Sequence, residues 1–133
     1  MTETLKWPYT LLLTLYCVGI FILSHHSSPP IPKTTLFAFT GADKIAHAIL
    51  YAGLAGCLSI GLRRSNDHVR PWVQCFIPII FAILYGLSDE IHQLFIPKRE
   101  FDWWDICADG LGASAAQLFL YQWIWKPIRV ENK

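Results

Sequence analysis

Charged residues are scarce in this sequence. Only 16% of its 133 residues are Asp, Glu, Lys or Arg, and 53% are hydrophobic, whereas an average soluble domain is about 25% charged. The chain therefore has too few polar residues to cover the outside of an ordinary soluble helical domain. The formal net charge of +1 also excludes the strongly basic surface that nucleic-acid binding requires, so we expect no nucleic-acid partner.

Several compact motifs are absent as well. The cysteines form no Cys-x-x-Cys pair and lie inside or beside apolar runs, so we expect buried thiols rather than zinc ligands or disulfides; they are Cys17, Cys57, Cys75 and Cys107. No His-Glu-x-x-His segment occurs, which removes one compact zinc motif. Ser88 has no nucleophile-elbow context, which disfavours a serine-hydrolase triad.

Four long apolar runs are present instead, at about residues 7–24, 44–62, 72–96 and 104–125. A helix rises about 1.5 Å per residue, so about 20 residues cross the hydrocarbon layer of roughly 30 Å. We therefore predict an all-α integral membrane protein, a four-helix transmembrane bundle formed by one domain over residues 1–133. No cleavage site of the Ala-x-Ala type follows the first run, so we expect an uncleaved span with membrane lipids as partners.

Basic residues predict the orientation of the bundle. With four spans, both termini and the loop between spans two and three share one side of the membrane. That side has seven basic residues and the other side has four: Lys6, Arg63, Arg64, Arg70, Lys126, Arg129 and Lys133 against Lys33, Lys44, Lys98 and Arg99. The positive-inside rule then predicts cytoplasmic termini. The first outward loop, residues 24–42, is rich in Ser and Pro and should be extended, while the second, around residues 97–102, should be tight.

Acidic residues and histidines are concentrated on the predicted outer side. Seven of the ten acids and four of the five histidines lie there: Asp43, Asp89, Glu90, Glu100, Asp102, Asp105 and Asp109, with His25, His26, His47 and His92. A charge at the centre of the membrane costs at least about 2.5–3.5 kcal/mol. We therefore expect the acids and histidines within the spans to face each other inside the bundle. Lys44 and Arg99 are expected to compensate the charge of several carboxylates.

Helical spacing arranges these residues in three stripes. Span two has Asp43, His47 and Tyr51 at i, i+4 and i+8, and span four has Asp102, Asp105 and Asp109 at i, i+3 and i+7 if its helix begins at Phe101. On span three, Asp89, His92 and Gln93 share a face, with Glu90 one position around it. Span one contributes no ionisable residue and is predicted to be scaffold.

The stripes define the candidate site. Glu90, His47 and Asp105 are candidates for acid–base catalysis, since desolvation would raise the pKa of a carboxylate and the neighbouring Arg99 would lower it. The predicted ligand-binding set is Asp43, Lys44, Tyr51, Gln93, Arg99, Asp102 and Asp109. Simpler roles stay open: Asp43 and Asp102 could be helix N-caps, His92 could reach the interface, and Tyr51 could be core packing. The N and O ligands would suffice for a divalent metal, but without a compact motif no cofactor is predicted.

Helix packing has its own signals. Small residues at Ala48, Ala52 and Gly56 in span two predict close helix contact, as do Gly112 and Ala116 in span four. Pro78 is expected to kink span three, which neighbouring helices in a membrane tolerate.

Three segments together resemble one known family. The segment DKIAHAILY at residues 43–51 resembles the DKxxHxxxY segment of the VanZ-like membrane proteins. The segment GLSDEIHQ at residues 86–93 resembles that family's GxxxExxQ segment. Arg99, Asp102, Asp105, Asp109 and Gly112 then follow the pattern RxxDxxDxxxN/DxxG. Each segment is loose alone, but their order over residues 7–125 is fairly specific.

The resemblance implies a small bacterial envelope protein in the inner membrane. The family is named for a protein that raises resistance to the glycopeptide teicoplanin, and no catalytic residues carry over from it. We expect an outward-facing polar pocket that binds or modifies a lipid-linked or peptidoglycan-related head group and affects glycopeptide susceptibility.

Two alternatives stay open. A proton- or ion-coupled transport component would use the acid–His cluster, but the cytoplasmic half of every span looks apolar. A structural subunit would use the polar residues only to lock the helices together.

Overall fold

The computed structural model describes residues 5–25, 41–66 and 69–125, and the regular structure in these ranges is entirely helical. Four α-helices are present: α1 (Trp7–Ser24), α2 (Ala42–Ser65), α3 (Pro71–Gln93) and α4 (Trp103–Leu120), which continues as a π-helical turn at Tyr121–Trp125. The all-helical class is confirmed. The bounds differ by a few residues: α3 ends three residues before the predicted residue 96, and α2 ends three residues after the predicted residue 62. The predicted extended conformation of residues 24–42 lies largely outside the described residues.

Within the described residues, α1, α2 and α3 are long and apolar enough to cross a membrane. Helix α4 is less apolar because it contains Asp105, Asp109 and Gln117, and all three of these side chains are buried. Its polar residues therefore face the other helices rather than the surroundings.

The distribution of side chains is the reverse of that in a soluble protein. Leu15, Ile49, Leu84 and Leu111 are each at least 60% exposed, and similar apolar residues cover every α-helix. Soluble monomers rarely expose apolar patches of this extent, whereas lipid chains solvate them favourably. The chain is a multi-pass membrane protein.

The apolar centre of the bundle is small. It consists of Ile20 from α1, Tyr51, Leu54 and Ala55 from α2, Ala82 from α3 and Ala113 from α4. Helix α1 is attached to it by two tyrosine hydroxyls. Tyr16 donates to the carbonyl of Leu50 at 3.0 Å, and Tyr85 donates to the carbonyl of Cys17 at 2.7 Å. These bonds tie α1 to both α2 and α3.

Helices α2 and α4 are in close backbone contact at Gly112. A Cβ atom at Gly112 would overlap the backbone of Ala48, so only glycine fits there. The predicted contact through small residues is confirmed at this point. Gly56, in the same predicted row, has open space where a Cβ would lie, so the row does not form one continuous contact.

Helix α3 runs through Pro78 without ending. Proline has no N–H, so the carbonyl of Gln74 loses its usual donor four residues later. The hydroxyl of Ser59 on α2 donates to that carbonyl at 3.3 Å. A neighbouring helix therefore satisfies the acceptor that the proline leaves open, as is usual in membrane helices.

The half of the bundle remote from the acidic residues is not purely apolar. Ser59, Gln74 and Gln117 are buried there, and the side-chain amide of Gln117 donates to the carbonyl of Ala55 at 3.2 Å. The expectation of an apolar half in every span is therefore wrong. A single Ser or Gln in an apolar run barely changes its hydropathy, so these positions are easily missed in the sequence.

The two ends of the bundle differ in charge. The basic end contains Lys6, Arg63, Arg64 and Arg70. Here Lys6 holds the end of α2, since its ammonium donates to the carbonyl of Arg64 at 3.0 Å and its backbone N–H donates to the Ser65 hydroxyl at 2.8 Å. A cation at the C-terminus of a helix is stabilising. The opposite end, which we call the polar end, contains the three predicted stripes.

The four cysteines are free thiols, in agreement with the sequence. The expectation that they are buried is wrong, because Cys17, Cys57 and Cys75 are only partly buried and Cys107 is exposed. In a membrane bundle an apolar run has one face toward neighbouring helices and another toward lipid, so apolar context alone does not predict burial.

Candidate functional site

The polar end is formed by the first turns of α2 and α4, the end of α3 and the turn between α3 and α4. Gly41, at a left-handed φ of 98°, is the N-cap of α2, so Asp43 lies inside the first turn and is not the cap. Asp102 is the N-cap of α4, and its carboxylate accepts the N–H of Trp104 at 2.8 Å. Helix α4 thus begins at Trp103 rather than Phe101.

The tight turn after α3 positions Arg99. Successive backbone bonds link Phe95 to His92, Ile96 to Gln93 and Arg99 to Ile96. Lys98 takes a left-handed φ of 66°, unusual for a side chain of this size, and Ile96 is buried. The tight loop expected around residues 97–102 is confirmed.

Lys44 lies among three carboxylates. Its Nζ is 2.7 Å from Oδ2 of Asp102, 2.8 Å from Oδ1 of Asp105 and 3.0 Å from Oδ2 of Asp43. An ammonium has three N–H donors, so these three bonds account for all of them. The predicted compensation of carboxylates by Lys44 is present, and it joins the beginnings of α2 and α4.

His47 lies between two carboxylates of α4. Its Nδ1 is 3.0 Å from Oδ1 of Asp109, and its Nε2 is 3.7 Å from Oδ2 of Asp105. Asp109 is fully buried, and a Cβ atom at Gly86 of α3 would overlap its Oδ2. The glycine of the GxxxExxQ segment therefore makes room for the carboxylate that orients His47.

Glu90 reaches the same cluster from α3. Its side chain is fully buried, and Oε2 accepts the backbone N–H of Asp102 at 2.9 Å. Among the described residues, neither its Oε1 nor Oδ2 of Asp109 has a hydrogen-bond partner. A buried acceptor left without a partner costs about 1–3 kcal/mol or more when charged.

A different part of α3 faces α1. The side-chain amide of Gln93 donates to the Ser24 hydroxyl at 3.1 Å and to Asp89 at 3.3 Å. His92 packs against Phe21, and its Nε2 is 3.3 Å from Nδ1 of His25. The prediction that Asp89, His92 and Gln93 share a face is confirmed, with Glu90 turned toward α4.

Between α1, α2 and α3 the polar end forms a half-open cavity of about 110 Å³. Its polar lining comes from Ser24, Asp43, His47, Tyr51, Asp89, Gln93 and Arg99, and its apolar lining from Ile20, Leu23, Ala46 and Leu50. The hydroxyl of Tyr51 and Nε of Arg99 are buried, and neither has a hydrogen-bond partner in the part of the chain that the structure describes. The cavity therefore combines apolar walls with polar groups whose hydrogen-bonding capacity is unused.

All ten candidate residues lie in the ion-pair network or on the cavity wall. The network contains Asp43, Lys44, His47, Glu90, Asp102, Asp105 and Asp109, while Tyr51, Gln93 and Arg99 line the cavity. Ser88 lies elsewhere, since it is exposed and donates to the carbonyl of Tyr85 in its own helix. Sequence reasoning missed Ser24, because a single small polar residue at the end of an apolar run carries no distinguishing signal.

Negative charge exceeds positive charge in this region. Six carboxylates face two permanent cations: Asp43, Asp89, Glu90, Asp102, Asp105 and Asp109 against Lys44 and Arg99. Outside the helices, the hydrogen bond from Lys44 and that from the Trp104 N–H hold the pKa of Asp102 below its usual range. Four of the six carboxylates are buried: Asp89, Glu90, Asp105 and Asp109. Buried carboxylates that outnumber the nearby cations require further compensation, by protons or by a bound cation.

Two groups of three side chains are close enough to share a metal ion. His47, Glu90 and Asp105 each offer one donor atom, and these atoms lie within 4.8 Å of one another; Asp43, Asp102 and Asp105 form the second group. In the second group, the Lys44 ammonium already lies within 3.0 Å of all three carboxylates. The first group is therefore the better candidate.

Comparison with known proteins agrees with the motifs that form this site. The family model described as VanZ/LLP1 matches residues 6–125, nearly the whole chain. The chain belongs to the VanZ/LLP1 family. No curated protein and no solved structure matches it. The three VanZ-like segments identified in the sequence are those that meet at the polar end, on α2, on α3, and on the following turn with α4.

Proposed function

We propose that this VanZ-family protein binds the head group of a lipid-linked cell-envelope molecule at the outer face of the bacterial inner membrane. The observation that supports it best is the cavity at the polar end, where Tyr51 and Arg99 contribute buried polar atoms that have no hydrogen-bond partner within residues 5–25, 41–66 and 69–125. Arg99 would hold a phosphate of the head group, since a guanidinium matches phosphate geometry. Lys44 is less suited, because its three donors already bind carboxylates.

The lining of the cavity agrees with a lipid-linked ligand. Ile20, Leu23 and Leu50 form its apolar part, and Leu23 is also exposed on the outside of α1. An acyl or polyprenyl chain could lie along this outer surface while its head group enters between α1, α2 and α3. Ligand pockets commonly combine apolar walls with a few polar groups in this way.

For this binding to occur at the outer leaflet, both termini and all four helices must be placed as the sequence predicts. We therefore propose that α4 is the fourth span and that the basic end is cytoplasmic. The location of Lys6, Arg63, Arg64 and Arg70 at the end opposite the acidic cluster supports this orientation.

Transport is less well supported than binding. The buried Ser59, Gln74 and Gln117 lie toward the basic end, but apolar side chains from α2, α3 and α4 fill the bundle between them and the polar end. Leu54, Ala55, Ala82 and Ala113 are all completely buried there. A purely structural role is also less well supported, since a polar network that only locks helices would be expected to satisfy its own polar atoms.

Arg99→Gln provides the test of head-group binding. Purified protein in detergent should bind a polyprenyl-phosphate-linked cell-wall precursor more tightly than phosphatidylglycerol, and Arg99→Gln should weaken this binding by about 1.5–3 kcal/mol, the value of a charge-assisted hydrogen bond. Lys98→Asn is the matched control: it removes the neighbouring exposed cation and keeps a residue that tolerates a left-handed φ.

Equal binding by wild type and Arg99→Gln would contradict the proposal, as would no binding by the wild type. Expression in a susceptible bacterial host gives a second readout. We expect the wild type to raise the teicoplanin concentration needed to stop growth, Arg99→Gln to lose the effect, and Lys98→Asn to retain it.

A further inference from the structure

We propose that His47, Glu90 and Asp105 bind one divalent transition-metal cation between α2, α3 and α4. This site is distinct from the cavity between α1, α2 and α3, although His47 borders both. The inference does not depend on head-group binding, and it concerns a ligand set that the sequence left unassigned.

The three donors come from three helices and converge. Their donor atoms lie within 4.8 Å of one another. Zinc binds such atoms at about 2.0–2.2 Å, so two donors on one tetrahedral ion are about 3.3–3.6 Å apart. Side-chain shifts of up to about one ångström would bring all three donors into this range.

Each donor side chain is held by its second polar atom. Nδ1 of His47 bonds Asp109, Oε2 of Glu90 accepts the N–H of Asp102, and Oδ1 of Asp105 accepts from Lys44. Nε2 of His47, Oε1 of Glu90 and Oδ2 of Asp105 then remain for the ion. Metal-binding histidines typically donate their other ring N–H to a carboxylate, as His47 can to Asp109.

The unsatisfied atoms are independent support for a ligand at this point. Glu90 is completely buried, and no described residue donates a hydrogen bond to its Oε1. Lys44 does not serve Glu90, because its three N–H groups bind Asp43, Asp102 and Asp105. A divalent cation at Oε1 would satisfy that oxygen and compensate two of the excess negative charges.

The donor types favour some ions over others. One imidazole with two carboxylates suits Zn²⁺, Mn²⁺, Co²⁺ or Fe²⁺, whereas Mg²⁺ and Ca²⁺ prefer sites built from oxygen alone. Three protein ligands would leave a position for water, as in catalytic rather than structural zinc sites. We therefore expect Zn²⁺ and Co²⁺ to bind and Mg²⁺ not to displace them.

Direct binding measurements test the site. The full chain is purified in detergent, stripped with a chelator and dialysed against ZnCl₂, and bound zinc is measured by mass spectrometry. We expect one ion per chain, unchanged by excess MgCl₂. With CoCl₂ instead, the visible absorption bands of Co²⁺ should change on binding, and His47→Gln should abolish that change.

Matched variants distinguish ligands from neighbours. Asp109→Asn removes only the hydrogen-bonding partner of His47 and should weaken zinc binding by roughly 10–100-fold. Glu90→Gln and Asp105→Asn remove ligands themselves and should weaken zinc binding by more than that. Asp89→Asn is a control at the acid that precedes Glu90 in the sequence. Asp89 is also buried, but its side chain lies toward α1. Asp89→Asn should weaken binding less than tenfold, and so should Arg99→Gln.

Absence of zinc from the wild-type chain would overturn the inference, and so would equal binding by wild type and Glu90→Gln. Gel filtration and helix content by circular dichroism show whether each variant is folded. If Glu90→Gln does not fold, equal zinc binding by wild type and Asp105→Asn would overturn the inference instead. Metal binding without head-group binding, or the reverse, separates the failure of one proposal from that of the other.

Discussion

At the scale of single residues, Lys44 has the largest number of ionic contacts in the described structure. Its ammonium binds Asp43, Asp102 and Asp105, and its side chain is one third exposed. Removal of the cation leaves three carboxylates close together with no opposite charge between them. The residue therefore connects the starts of α2 and α4 through charge rather than through apolar packing.

Lys44→Met tests this connection because methionine keeps much of the unbranched stem and removes the charge. We expect a loss of about 1–3 kcal/mol in stability, between the values for exposed and buried ion pairs. Thermal unfolding in detergent measures it. Lys98→Asn, at an exposed lysine, should change stability by less than about 0.5 kcal/mol; similar losses in both variants would contradict the assignment.

The lowered pKa of Asp102 makes the stability of the protein depend on pH. Lys44 and the N–H of Trp104 hold its pKa below the unfolded value, so its contribution is complete above about pH 4 and is lost as the pH falls through the folded pKa. Melting temperatures of wild type and Asp102→Asn, which retains a capping side chain, should differ most at about pH 6 and converge as the pH falls below about 4, the usual pKa of an Asp. A constant difference over this range would contradict the prediction.

At the scale of helices, the contact between α2 and α4 depends on one glycine. A Cβ at Gly112 would overlap backbone atoms of Ala48, and a backbone cannot move aside as the end of a side chain can. We expect Gly112→Ala to destabilise the protein by about 1–3 kcal/mol through overpacking. The measurement is again thermal unfolding in detergent.

Gly56→Ala is the control for this prediction. Gly56 is also in a helix, and no neighbouring atom lies within 4 Å of the point where its Cβ would be. Alanine should therefore be neutral there or stabilise by roughly 0.5–1 kcal/mol, the usual helix preference for alanine over glycine. If both variants are destabilised alike, close approach at Gly112 is not the cause.

The pairing of Ser59 with Pro78 is a second prediction for the helices. Ser59→Ala removes the donor to the Gln74 carbonyl and should cost about 1–3 kcal/mol, the cost of an unsatisfied buried acceptor. Pro78→Ala restores the N–H that normally binds that carbonyl. The loss caused by Ser59→Ala should thus be much smaller in a Pro78→Ala background, and additive losses in the double variant would contradict this account.

At the scale of the whole molecule, the exposed apolar surface and the buried polar end describe a protein solvated by lipid. The orientation proposed above makes a prediction about access. In a background without the four native cysteines, Glu100→Cys in the exposed turn after α3 should react with a membrane-impermeant maleimide in intact spheroplasts. Asn66→Cys, after α2, should react only after the membrane is opened.

Reaction of both sites in intact spheroplasts, or of Asn66→Cys alone, would contradict cytoplasmic termini. Equal reaction after solubilisation is the control for the accessibility of each position. The same experiment tests whether α3 crosses the membrane, since the two cysteines lie at its opposite ends.

The sequence alone determined the class of protein and the residues of the site. Apolar runs of about 20 residues dictate membrane helices because lipid offers backbone groups no hydrogen bonds. Helical spacing placed Asp43, His47 and Tyr51 on one stripe and Asp105 and Asp109 on another, since that geometry depends only on the helical period of about 3.6 residues. It also separated Glu90 from Asp89 and Gln93 on α3.

Only the tertiary structure decided which of these side chains bind each other and which remain available for a ligand. Lys44 could have faced a ligand, but its contacts with Asp102 and Asp105 depend on how α2 and α4 cross, which follows from the fit of Gly112 against Ala48. Which oxygen of Glu90 stays available also depends on the fold, because Oε2 accepts the backbone N–H of Asp102, twelve residues later, and Oε1 does not. Such contacts join atoms distant in sequence, and local spacing contains no information about them.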